Sequence, residues 1–208
     1  MVQNAVILIV CFLAGHVLRV NASYNECEAK EFGKCNQAFT DVFRNADKDQ
    51  NVVDTYCKAL KVRLECMASN AECVGEAIDL MRFSLLQHVT LDITLGTCAN
   101  FDLEPLRKLV HANEKYRSRI AGLKDLEKDH FQPCAAKKNV YCASRFAEEL
   151  KSGGKFCHAL QNFFKCYESK TLVCDDKIYK DFVVDVVRTD SELKEFVKKF
   201  QNAMPGCS

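Results

Sequence analysis

The sequence predicts an all-α protein made of two tandem helical modules, each stapled by disulfides. Two observations carry this expectation. Twelve cysteines behind an apolar leader fall into two sets of six with related spacing. Apolar residues recur every three or four positions through both sets, the period of a half-buried helix.

The leader comes first. Ala5 to Gly15 is an apolar run of signal-peptide length, shorter than the ~20 residues a membrane span needs. Val20 and Ala22 are the small residues of a cleavage site, so the cut is placed after Ala22, with Ala14–Gly15 as a second choice. The organisation that follows is a signal peptide over 1–22, a first six-cysteine module over 23–100, a connecting helix over 101–133 and a second module over 134–208. Cleavage after Ala22 splits the sequon Asn21-Ala22-Ser23 and removes Arg19 and Cys11. The mature chain then has 28 basic and 28 acidic residues, because one of the 29 basic residues and none of the acidic ones lies in the leader. A neutral chain has little long-range pull on nucleic acid or an anionic membrane, which weighs against a cationic lytic role. Even, dense cysteines behind a leader imply a secreted, extracellular product. No second apolar run approaches spanning length.

The first set is Cys27, Cys35, Cys57, Cys66, Cys73 and Cys98; the second is Cys134, Cys142, Cys157, Cys166, Cys174 and Cys207. Their steps are 8, 22, 9, 7, 25 and 8, 15, 9, 8, 33. Cys57-x-Ala59-Leu60 leads to Cys66 as Cys157-x-Ala159-Leu160 leads to Cys166, and Phe39 and Phe146 each follow a second cysteine by four. The helical stripes are Val52, Val53, Tyr56, Leu60, Leu64 and Met67 in the first set. In the second they are Phe156, Leu160, Phe163, Phe164 and Tyr167. Near the end, Ile178, Phe182 and Val186 form one stripe and Leu193, Phe196, Val197 and Phe200 another, with Thr189-x-x-Glu192 between them reading as a capping box. Asp175-Asp176 reads as a helix start. In the connector, Leu103, Leu106, Leu109, Val110, Tyr116, Ile120, Leu123 and Leu126 form an apolar face behind Asp102 as cap, with Gly122 as a break. His88–Leu95 is the one stretch whose β-branched residues make helix doubtful.

Antiparallel helices bond residues whose numbers have a nearly constant sum. Cys27–Cys66 and Cys35–Cys57 give 93 and 92, and Cys134–Cys166 and Cys142–Cys157 give 300 and 299. That choice leaves Cys73–Cys98 and Cys174–Cys207. It meets an angular objection: a nine-residue step turns about 180° on a helix, so Cys57 and Cys66 face apart, and a Cys27–Cys73 bond relieves the conflict.

The motifs of chemistry are thin. Asp47-x-Asp49-x-Asn51 opens like a calcium loop, but Val52 stands where glycine must turn and Lys58 where the bidentate glutamate belongs, so a polar turn is expected. The mature histidines, His88, His111, His130 and His158, are not within helical reach of one another. There is no G-x-S-x-G elbow or P-loop. Ser152, behind Glu148-Glu149, faintly matches a glycosaminoglycan attachment site, but Gly153-Gly154 reads as an inter-helix turn. No catalytic residue, metal ligand or cofactor is assigned, and the expectation is a non-enzyme.

The C-x7-C, C-x-x-L-x5-C and following cysteine resemble secreted all-helical cysteine-rich domains of invertebrates, found singly or in tandem in haemolymph, egg-coat, salivary and venom proteins. The resemblance implies the fold and carries no active site. Odorant-binding proteins require a short gap between the second and third cysteines, and saposin-like proteins open with C-x-x-C; this chain has neither. The leading expectation is therefore a secreted binding protein of venom, salivary or other exocrine origin, such as a toxin, acting on a protein target. The alternatives are a carrier of small apolar ligands in a cavity lined by Phe156, Phe163, Phe164 and Tyr167, or a structural part of a matrix or coat.

Overall fold

A computed structural model describes residues 26–99, 101–126 and 131–199; the expected leader and Cys207 lie outside them. These residues form eight helices and no strand: α1 (Glu26–Arg44), α2 (Val52–Ser69), α3 (Glu76–Thr94), α4 (Glu104–Ala112), α5 (Glu114–Leu126), α6 (Pro133–Lys151), α7 (Phe156–Glu168) and α8 (Lys177–Lys199). The protein is all-α, and none of these helices is long and apolar enough to cross a membrane.

In the first half, α1 and α2 form an antiparallel hairpin. Phe32, Cys35, Phe39 and Phe43 make the buried stripe of α1, and Tyr56, Leu60, Leu64 and Met67 that of α2. The polar turn between them starts α2: Asn51 Oδ1 accepts from the N–H groups of Val53 at 2.8 Å and Asp54 at 3.2 Å. Asp47 to Asn51 is thus a helix-to-helix turn, as expected.

The doubtful segment His88–Leu95 belongs to α3, apart from its last residue, which caps the helix. It shows no helical stripe because α3 is covered on nearly all sides, by α1, α2, α4, α5 and α8. Its first turn is held by a distant carboxylate: the N–H groups of Ala77 and Ile78 both donate to Glu28 Oε1 at 3.0 Å. Gly75 leaves room for this cap, since a Cβ there would stand 2.1 Å from Glu28 Oε1.

The connector is two helices, and both close the first half. Leu106, Val110, Tyr116, Ile120 and Leu123 are buried, and Tyr116 stacks on Phe83 at 4.9 Å. Asp102 Oδ1 accepts from Glu104 N–H at 3.1 Å, one residue ahead of the cap position at Leu103. The break falls at Asn113 and not at Gly122: Asn113 Oδ1 accepts from Lys115 N–H at 3.0 Å while its Nδ2 donates to Asp79 Oδ2 at 2.9 Å. An exposed helical glycine costs only about 1 kcal/mol, whereas Asn113 supplies a cap and a tertiary bond.

In the second half α6 and α7 form a like hairpin, turned at Gly153 (φ 85°), with Gly154 N–H donating to Glu149 O at 2.8 Å. Asp176 starts α8, accepting from Tyr179 N–H at 3.1 Å, and its other oxygen accepts from Gln132 N–H at 2.6 Å ahead of α6. Two expectations for α8 fail. Its first stripe is Tyr179, Phe182 and Val186, with Ile178 36 % exposed. The capping box is absent, because α8 runs unbroken past Thr189, whose hydroxyl donates to Asp185 O at 2.9 Å inside the helix. The side chains of Leu193, Phe196, Val197 and Phe200 lie outside the description.

The described bonds are Cys27–Cys73, Cys35–Cys66, Cys57–Cys98, Cys134–Cys174 and Cys142–Cys166. These replace the expected 27–66, 35–57, 73–98, 134–166, 142–157 and 174–207. The angular argument wins. Cys66 faces α1, so Cys57, half a helical circle away, turns to Cys98 beyond α3. The antiparallel rule itself survives one cysteine along: 27–73 and 35–66 sum to 100 and 101, and 134–174 and 142–166 both sum to 308. Each described bond stays within its own set of six, and first joins fifth and second joins fourth in both. Each bridge contributes roughly 2–4 kcal/mol by restricting the unfolded chain.

Candidate functional site

The two halves meet over a shared aromatic core. Phe39 lies 6.0 Å from Phe146 and 5.7 Å from Phe156 between ring centres, and Tyr56 lies 6.1 Å from Phe146 and 6.2 Å from Phe163. Phe163 also touches Phe164 at 5.8 Å and Tyr167 at 5.1 Å. The residues expected to line a carrier's cavity therefore pack on one another and on the first half. Tight packing explains this: aromatic rings of two helical hairpins interdigitate and fill the seam.

A polar network threads the seam. Asp92 on α3 accepts from Tyr56 Oη at 2.9 Å and from Asn139 Nδ2 of α6 at 2.6 Å. Asn139 Nδ2 also donates to Thr97 Oγ1 at 2.8 Å, and Tyr167 Oη donates to Asn139 Oδ1 at 2.6 Å. Burial raises the Asp92 carboxyl to about 7, with the hydrogen bonds from Asn139 and Tyr56 pulling the other way. Burial and the Asp92 charge push both phenols up. Nearby, Arg63 stands 5.4 Å from the ring centres of both Phe39 and Phe156, donates to Met81 Sδ at 3.1 Å, and is lowered to about 10 by burial. His88 packs 5.3 Å from Phe164, and burial, then Arg63, lowers it to about 4. No sequence motif marks this group, since its members come from α2, α3, α6, α7 and the turn after α3. It is closed to solvent and can hold a proton between the halves.

A second, open group lies on the outer face of the second half. His158 Nδ1 is 2.5 Å from Glu149 Oε1, and Asn162 Nδ2 donates to Glu149 Oε2 at 3.0 Å. Beside them a groove of about 810 Å³ runs between α6 and α7, lined by Tyr141, Arg145, Glu148, Lys165 and Thr171 among others. Its apolar floor, Phe146 and Phe163, is only 4 and 5 % exposed. Ser152 sits at its rim, donating to Glu149 O at 2.9 Å within the turn.

The cysteines assigned to disulfides from the sequence are all bonded where described, Cys157 included. Glu31, Cys35 and Cys66 are the one cluster of possible metal ligands among the described residues, but both sulfurs are joined to each other. Cationic side chains donate to clustered main-chain carbonyls in both halves. Arg82 reaches the oxygens of Met67 at 3.1 Å in the last turn of α2 and of Asn70 at 2.5 Å and Cys73 at 2.8 Å beyond it. Lys138 does the same after α7, donating to Ser169 O at 2.7 Å and to Thr171 O. Lys151 of α6 donates to Asp47 O at 3.0 Å, Lys48 O at 3.2 Å and Gln50 O at 3.1 Å, so an ammonium group holds the turn that opened like a calcium loop.

Compared with known proteins, the chain matches no family model, no curated protein and no solved structure.

Proposed function

We propose that this is a secreted, non-enzymatic binding protein, of venom, salivary or other exocrine origin, acting on an extracellular protein target. The observation that carries the reading is the division between interior and surface. The described cysteines are all bonded, and the aromatic seam is packed, so recognition falls to the outer faces. Dense disulfides suit an oxidising compartment and resist extracellular proteases. Matching first-to-fifth and second-to-fourth bonds support a duplicated module, which offers a partner two related faces. The packing of Phe156 on Phe39, and of Phe163 on Phe164 and Tyr167, counts against the carrier reading.

Expression of the full chain in a secreting cell tests the first clause: product in the medium beginning at Ser23 is expected, and retention in the cell with the leader attached refutes it. Native mass spectrometry of that product tests the second. An apo mass is expected, and a stoichiometric co-purifying lipid returns the reading to a carrier.

A further inference from the structure

The turn between α7 and α8 is built to stand out. Leu172 and Val173 at its tip are 46 and 67 % exposed. Leu172 holds φ at 53°, a left-handed conformation that a leucine adopts only when its surroundings impose it. Two anchors impose it. Lys138, whose side chain is covered, ties down the carbonyls of Ser169 and Thr171 before the tip. The Cys134–Cys174 bond fixes the chain directly after it.

Both anchors lie on one stripe of α6, at positions 134 and 138, and the exposed Lys137 stands between them in sequence. Lys170 is in the tip itself, and Lys165 and Arg145 line the groove that also reaches Thr171. None of Lys137, Lys165, Lys170 and Arg145 has an acidic partner within 4 Å among the described residues, whereas the nearby Asp175 is engaged by Lys180 at 2.7 Å. Two exposed acids flank the tip in sequence, Glu168 before it and Asp175 after it. The chain is neutral as a whole, but around the exposed aliphatic groups four cations lack an acidic partner among the described residues, while Glu148 and Glu149 line the same groove.

We propose that this tip docks on an anionic phospholipid surface, with Leu172 and Val173 entering the boundary between headgroups and acyl chains and the four cations facing the phosphates. The shape favours a bilayer over an acidic protein segment. The apolar groups here are exposed on a turn, while the floor of the adjoining groove is covered by its own helices and offers a peptide little. This inference stands apart from the protein-target reading and adds a surface to it.

The test is co-sedimentation of the secreted full chain with vesicles of phosphatidylcholine alone or with about three-tenths phosphatidylserine, at low salt. At least tenfold stronger retention on the charged vesicles is expected, with a tenfold loss in L172G/V173S and in K137E/K170E. All four positions are exposed, and Leu172→Gly relieves the left-handed backbone, so the first variant should melt no lower than the parent while binding worse. Equal retention of parent and variants overturns the proposal. So does a parent that ignores charged vesicles, which would leave the tip to a protein partner.

Discussion

Asp92 and His88 should tilt the pH dependence of stability in opposite directions. The folded protein raises Asp92 from 3.8 to about 7, so the stability it contributes is fully present below pH 3.8 and is lost as pH rises through about 7. Three units correspond to about 4 kcal/mol. The folded protein lowers His88 from 6.5 to about 4, so its contribution is present above pH 6.5 and is lost as pH falls through about 4, about 3 kcal/mol in all. Between roughly pH 4 and 6.5 the two slopes cancel. Asp92→Asn mimics the protonated acid, with its oxygen accepting from Asn139 Nδ2 and its amide N–H donating to Tyr56 Oη where the carboxyl O–H would, and it leaves His88 unopposed. Stability of D92N, relative to the parent, should climb by about 4 kcal/mol from pH 4 to 7. His88→Phe fits among Phe163 and Phe164 and leaves Asp92 unopposed, so H88F should lose about 3 kcal/mol relative to the parent from pH 4 to 6.5 on raising the pH. Urea titrations at a series of pH values, with disulfides intact, measure both differences. Curves for D92N and the parent that run parallel would refute the buried-proton argument.

Other outcomes follow from the same contacts. Phe146→Ala removes a ring shared by both halves and should cost about 3–5 kcal/mol while unfolding stays a single transition; two separate transitions would show that the halves do not share their core. Glu28→Ala strips the cap from α3 and should cost about 1–2 kcal/mol in denaturant, and a change below a few tenths would remove Glu28 from that role. Peptide mapping of the unreduced protein should return the five described bonds, and the repeat of Cys57–Cys98 predicts Cys207 as the partner of Cys157; any bond joining the two sets contradicts the modular reading.

Much of the fold was legible because it depends on local pattern. Buried stripes such as Tyr56, Leu60, Leu64 and Met67 face one partner, so a helical period betrays them. Asp102 and Asp176 bond backbone N–H groups within three residues of themselves, and sequence reading finds both helix starts, as it finds the polar turn that ends at Asn51. The eight- and nine-residue cysteine steps already held the angular conflict that Cys27–Cys73 resolves.

What the sequence could not yield is whatever depends on which helix lies beside which. α3 has no stripe to read because it is covered on nearly every side. Asp92, Tyr56, Asn139 and Tyr167 lie up to 111 residues apart, and no spacing rule links them. Glu28 caps a helix begun 48 residues later, and Lys151 serves a turn about a hundred residues earlier. By itself the sequence determined the class of fold, most of the helices and the bonded state of the described cysteines, because those follow from short-range geometry and composition. The tertiary structure alone decided the pairing register, the buried proton site and the projecting tip. Each of these is set by desolvation and contact between segments that the chain brings together only on folding.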